Sequence, residues 1–127
     1  MQNTFSKNEK LCSKRSFAIL VKGRKAVYAG KLRVSYTFDL PDAVVTSPVM
    51  VAVVATKRDF KLAVTRNLLK RRMREAYRLH KHAFFNKVEE KGKFVALLVK
   101  YNAREIRSFK EIEQDMVHAL RQLERLL

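Results

Sequence analysis

Leu32-Arg33-Val34-Ser35-Tyr36-Thr37-Phe38-Asp39-Leu40 alternates apolar and polar side chains without a break. Successive strand side chains point to opposite faces, so the stretch reads as a strand with one apolar and one polar side. Pro41-Asp42 ends it. The next run, Val49 to Ala55, is apolar throughout, as expected of a central strand buried on both faces. A third apolar run, Phe94 to Val99, follows the turn-like Glu89-Glu90-Lys91-Gly92 and reads as another interior strand.

Helical periods surround these strands. Ser6-Lys7-Asn8-Glu9 has the spacing of a capping box, opening a helix that runs to about Lys22 with Gly23 as its left-handed stop. A second helix covers roughly Leu62 to Phe85. A third begins after Ser108, where Ser108-Phe109-Lys110-Glu111 repeats the capping box. Its apolar residues Phe109, Ile112, Met116, Val117, Leu120, Leu123 and Leu127 form a core-facing stripe. The order helix, strand, strand, helix, strand, helix implies an α+β sandwich of helices on a small mixed sheet. One domain spans residues 1–127, with no repeat or low-complexity linker.

Composition narrows the function. Twenty-eight Lys and Arg oppose 12 Asp and Glu, a formal charge of +16. Repulsion on that scale points to a polyanionic partner. Cys12 is the sole cysteine, so no internal disulfide forms, which fits a reducing cytosol. The opening residues Met1 to Ser6 carry no apolar signal-peptide core. The longest apolar stretch, Val44 to Ala55, is interrupted by Thr46, Ser47 and Pro48 and is too short for a bilayer span. The expectation is a cytoplasmic protein with no membrane partner.

The charge concentrates between Lys57 and His82, where ten Lys or Arg face only Asp59 and Glu75. On a helical wheel Leu62, Leu69, Met73, Ala76, Tyr77, His80 and Phe84 fall on one side and should contact the sheet. Asn67, Arg71, Arg74 and Arg78 line the opposite side in one row, flanked by Lys70 and Lys81. Solvated helix faces usually mix signs and gain from i, i+4 ion pairs; this row has nearly one sign. Arginine forks match phosphate oxygens, so the row is expected to bind phosphates.

The run Ala63-Val64-Thr65-Arg66-Asn67-Leu68-Leu69-Lys70-Arg71-Arg72-Met73-Arg74-Glu75-Ala76-Tyr77-Arg78 resembles the signature helix of the bacterial ribonuclease P protein component. The family pattern is an Ala-Val, an Arg-Asn-Arg core, a Lys-Arg pair and an Arg-Glu pair. It matches at Ala63, Val64, Arg66, Asn67, Lys70, Arg71, Arg74 and Glu75. One position departs: Leu68 stands where the family has its second core arginine. Arg71 and Arg72 are placed to compensate. Size, basic balance, the opening helix with Phe17 and Gly23, and the capped last helix extend the resemblance to essentially the whole chain.

The resemblance implies a four-stranded mixed sheet with a left-handed βαβ crossover, an exception to the usual hand. It implies a subunit that binds a catalytic RNA, one protein chain per RNA, and supports removal of the 5′ leader from precursor tRNA. The candidate RNA-binding set is Lys57, Arg58, Lys61, Arg66, Asn67, Lys70, Arg71, Arg74 and Arg78. The leader, as a single strand, would enter a cleft lined by Phe17, Val21, Val34 and Tyr36. Aromatic faces and cations hold unpaired nucleotides without base-specific hydrogen bonds, which suits a leader of variable sequence. Val21 stands where family members often carry an aromatic.

Catalytic residues are not expected on this chain. It has no Gly-rich phosphate loop, His/Cys metal cluster or nucleophile motif, and His80 and His82 are two residues apart on a helix and do not face together. Hydrolysis would then belong to the RNA and its magnesium ions, with no cofactor held by the protein alone. A small basic ribosomal or other structural RNA-binding protein would share the charge but would not need the Arg66-to-Arg78 pattern. A stand-alone nuclease would need a carboxylate or histidine cluster. A DNA-binding helix-turn-helix is disfavoured because the basic helix lies between strands.

Overall fold

The computed structural model describes residues 25–37 and 49–127. Strand β1 covers Ala26–Ala29, β2 Leu32–Thr37, β3 Val49–Val54 and β4 Val95–Tyr101. Helix α1 covers Ala63–His80, α2 His82–Glu90 and α3 Phe109–Leu126. The strands form one sheet in the order β1-β2-β4-β3. β2 pairs antiparallel with β1 and β4, while β3 and β4 run parallel, connected through α1 and α2. The expected α+β architecture with a mixed four-stranded sheet is what forms. The expected opening helix, the end of the first strand and Pro41-Asp42 lie outside the described residues.

Two expectations about strands change. β1 was not among the strands read from sequence. It is four residues long and joined to β2 by the two-residue turn Gly30-Lys31, with Ala29 opposite Leu32. Gly30 has φ +57, which suits the first central position of a tight hairpin turn. The second change concerns Val49–Val54. It lies at an edge of the described sheet, and the inner strands are β2 and β4. Its first three residues are buried and its last three are half-buried, so the continuous apolar run serves an edge strand covered at one end.

The core lies between the sheet and the helices. Alternation sends Val27, Ala29, Leu32, Val34, Val51, Leu97, Val99 and Tyr101 toward Leu69, Met73, Tyr77, Ile112, Met116 and Leu123. Burying each large apolar side chain contributes about 1.5–3 kcal/mol. The stripe of the basic helix runs differently from the wheel reading in two places. Leu62 is 70% exposed, just before the helix begins. His80 is exposed as well, and the buried residue at that level is Lys81. On a continuous helix at about 100° per residue His80 would lie nearer the middle of that stripe than Lys81. The helix is instead interrupted at Lys81, and at that break Lys81 is buried and His80 exposed. At 1% exposure the stem and the ammonium of Lys81 are both enclosed by the protein. The single helix expected over 62–85 is divided at Lys81 into α1 and α2.

The terminal helix is capped as expected. Ser108 Oγ accepts from the Glu111 amide at 3.3 Å, and the Glu111 carboxylate accepts from the Ser108 amide at 3.4 Å. Arg107 Nε donates to the same carboxylate at 2.9 Å. That bond above all, with the Ser108 contacts, holds the Glu111 carboxyl below the usual carboxylate range. Stabilisation by a depressed carboxylate is complete above its unfolded-state pKa and is lost as pH falls through the folded value. Ser108→Ala is therefore expected to cost about 1 kcal/mol near neutral pH. Denaturant melts at neutral and acid pH check it: the penalty should shrink in acid, and an equal penalty at both would show that the box contributes nothing through Glu111.

Candidate nucleic-acid interface

Helix α1 is positioned by Leu69, Met73, Ala76 and Tyr77, all buried, which turns its other side outward. The loop leading into it, residues 55–62, is built on Phe60 and Asp59. The Phe60 ring meets that of Tyr101 at 5.6 Å between centroids. Asp59 accepts from Thr56 Oγ1 at 2.9 Å and lies 3.8 Å from the guanidinium groups of Arg58 and Arg104. Lys57, Arg58 and Lys61 are exposed on this loop.

The candidate residues of α1 divide by what their side chains already hold. Arg66 Nη1 donates to the carbonyls of Phe60 at 2.8 Å and Lys61 at 2.9 Å, bracing the loop against the helix. Arg78 pairs with Glu75; its Nε donates to Oε2 at 3.1 Å. That hydrogen bond lowers the Glu75 pKa and raises that of Arg78. Arg72 donates to the Arg107 carbonyl, tying α1 to the loop before α3. Arg72 thus has one nitrogen committed to the protein, whereas the exposed Arg71 has none so committed among the described residues. Arg71, Arg74 and Asn67 are exposed and Lys70 is half-buried. No carboxylate among the described residues pairs with Lys70, Arg71 or Arg74.

Leu68 sits between two adjoining hollows on this face. One, of about 490 Å³, is lined by Val64, Asn67, Leu68, Arg71 and Arg74. The other, of about 320 Å³, is lined by Leu68, Arg71, Arg72, Glu75 and Phe109. Val64 is 80% exposed. The surface thus mixes cationic and apolar side chains.

The expected leader cleft is only partly described. Phe17 and Val21 lie outside the described residues. Tyr36 is half-buried at the end of β2, packed against the core. Val34 is 1% exposed and lies in the interior between sheet and helices, which corrects the expectation that it lines an open cleft. Its alternation with Arg33 and Ser35 was read correctly, but the apolar side of that strand is the side the helices cover. Sequence reasoning also missed Arg107, which supports the interface from behind. The Tyr101 hydroxyl donates to the Glu105 carbonyl and accepts from the Arg107 amide at 3.0 Å, fixing the loop that Arg72 reaches. Only an Arg-rich spacing after β4 hinted at this.

Among the described residues no group of three or more His, Cys, Asp or Glu is arranged to hold a metal ion. No helix among them is long and apolar enough to cross a membrane. What the face can do chemically is accept phosphate oxygens on Arg71, Arg74 and Lys70 while apolar atoms of Val64 and Leu68 meet sugar or base edges.

Comparison with known proteins agrees with this picture. Residues 5–124 match the family model described as Ribonuclease P. The chain is 31% identical over 115 residues to a Ribonuclease P protein component of Porphyromonas gingivalis, covering 91% of this chain and 82% of that protein. The protein from a second strain of that species is 30% identical over the same length and coverage. The solved structure of Staphylococcus aureus RNase P protein superposes with a TM-score of 0.66 at 18% identity, covering 92% of this chain and 96% of that one. At that identity the last likeness speaks to the fold.

Proposed function

The chain belongs to the ribonuclease P protein family, and from that premise we propose that it binds the catalytic RNA through the outer face of α1 and helps hold the 5′ leader of precursor tRNA during its removal. The observation that carries the first half is the row Asn67, Lys70, Arg71 and Arg74. Like charges at helical spacing repel one another, and here no described carboxylate offsets the three cations. Phosphate supplies what the protein withholds. Lys57, Arg58 and Lys61 extend the cationic surface along the preceding loop, and Arg78 can exchange Glu75 for phosphate at its end. Arg66 acts chiefly by holding the loop.

In this reading the protein lowers the electrostatic cost of bringing precursor tRNA to an RNA catalyst. Bond cleavage stays with the RNA and its magnesium ions, by metal-assisted displacement at phosphorus. One protein chain serves one RNA in the cytoplasm. Tyr36, with Phe17 and Val21, contributes to holding the leader.

Co-purification and sequencing of the bound RNA is the direct test, followed by reconstitution. Protein alone should leave precursor tRNA intact. Protein with the matching catalytic RNA should restore 5′ cleavage at low magnesium and should bind leader-bearing precursor more tightly than mature tRNA. Cleavage by metal-supplied protein without RNA would overturn the division of labour, and equal affinity for precursor and mature tRNA would remove the leader from it.

A further inference from the structure

Helix α3 carries an outward row of its own, separate from the face of α1. Ile112, Met116, Ala119, Leu120 and Leu123 are buried in the core. On the opposite side Lys110, Gln114, His118, Arg121 and Arg125 are all exposed. They recur at intervals of four, four, three and four. At about 100° per residue all five fall within about 80° of arc. No acidic residue stands among them. The acids of α3 are drawn to the flanks: Glu111 accepts from Arg107 and Ser108, Glu113 meets His80 at 3.0 Å, and Asp115 accepts from the Lys31 amide at 3.1 Å. Glu124 is half-buried at the margin. No carboxylate among the described residues pairs with Lys110, Arg121 or Arg125.

This row lies beside that of α1. The two helices advance side by side in the same direction: Arg72 reaches the Arg107 carbonyl, Glu75 shares a hollow with Phe109, and His80 meets Glu113. Each buries one side in the same core, so both rows face away from the sheet. A third hollow, of about 340 Å³, bridges the helices and is lined by His80, Glu113, Gln114, Val117, His118 and Arg121. Gln114, His118 and Arg121 offer donors around it. Glu113, the one carboxylate in its wall, is already engaged by His80.

We propose that the α3 row is a second contact strip for the catalytic RNA, holding a separate stretch of its backbone, with one phosphate seated over the hollow by His118 and Arg121. This rests on the reading of α1 as the RNA-binding helix and extends it across the helix layer. Like charges at helical spacing repel one another, and phosphate oxygens relieve that repulsion while matching the arginine fork. Packed helices lie about 8–10 Å apart, so the two rows are held at a fixed separation. A folded RNA, whose backbone stretches are themselves held in place, suits such a layer. A flexible strand would have to lose conformational freedom to engage both rows.

Filter binding of the full chain to its catalytic RNA across a salt series tests the strip. Lys110→Gln with Arg121→Gln should lower affinity about tenfold or more and reduce the slope of log K against log salt by about two. Lys91→Gln with Lys93→Gln removes the same formal charge from the exposed turn after α2 and, with distant charges screened, should change affinity by about twofold or less. Equal losses for the two double variants would reduce the α3 row to its share of the overall charge and overturn the strip. Parental binding by Lys110→Gln with Arg121→Gln would do the same. Acylation of lysines in the unsubstituted protein gives a reading independent of folding defects. Lys110 should be protected in the ribonucleoprotein while Lys91 labels as in the free chain; Lys110 labelling at its free rate would also overturn the strip. Weakened binding by Arg71→Ala with Arg74→Ala beside an unaffected α3 variant would sink this inference and leave the reading of α1 standing. An unaffected α1 variant would sink that reading, and with it the idea of one RNA-binding layer spanning both helices.

Discussion

Arg71→Ala combined with Arg74→Ala is expected to lower affinity for the catalytic RNA about a hundredfold or more and to flatten its salt dependence. Each charge-assisted hydrogen bond is worth about 1.5–3 kcal/mol, and both residues are exposed with no carboxylate among the described residues to hold them. Each lost phosphate contact should reduce the slope of log K against log salt by about one, by analogy with DNA, so the pair should remove about two. Arg78→Ala should cost less affinity than either single change, because the native guanidinium must first leave Glu75. Arg66→Ala should differ in kind. Its guanidinium holds two carbonyls of the loop before α1, so melting temperature should fall along with affinity. Filter binding across a salt series, beside thermal melts, distinguishes these outcomes. An unchanged slope in the double variant would take this face out of the RNA interface.

That separation among arginines marks where the sequence stops being legible. Composition and periodicity located the basic helix and its outward side because both depend on spacing along one chain. Which arginines serve the protein itself depends on loops far away: Arg72 meets the carbonyl of Arg107, 35 residues later. No periodic signal encodes such a pairing. The wheel placed Leu69, Met73, Ala76 and Tyr77 correctly, yet turned His80 inward because it assumed one continuous helix where the chain breaks at Lys81. Burial of a lysine stem follows geometry rather than hydropathy.

The sheet teaches a related lesson. β2 was readable because it alternates over many residues. β1 was not, because Ala26–Ala29 is too short to establish a period and its signal lies in the turn, Gly30-Lys31, rather than in the strand. The apolar run at Val49–Val54 announced a buried strand, and sheet order then placed it at an edge, since hydropathy reports cover and not neighbours. Val34 shows the same ambiguity in the candidate cleft. Alternation identifies two sides of a strand, but only packing says which side the helices take.

Gly30→Ala is expected to be strongly destabilising, by about 2–4 kcal/mol. Two costs combine. A left-handed φ of +57 is unfavourable for any residue with a Cβ, by about 1–2 kcal/mol. In addition, a Cβ there would lie 2.1 Å from Asp115 Oδ1, so the carboxylate of α3 must move. That movement breaks the 3.1 Å bond from the Lys31 amide to Asp115 Oδ2, the clasp joining the hairpin to the last helix. Melting temperature should drop by on the order of 10 °C. Gly92→Ala isolates the first cost, since Gly92 also has positive φ, +62, but nothing lies within 4 Å of its added Cβ. It should cost only about 1–2 kcal/mol. Asp115→Ala in the Gly30→Ala background should cost less than the two single changes summed, because the collision disappears with the carboxylate. Equal losses for Gly30→Ala and Gly92→Ala would show that Asp115 yields freely and that the hairpin is not clasped.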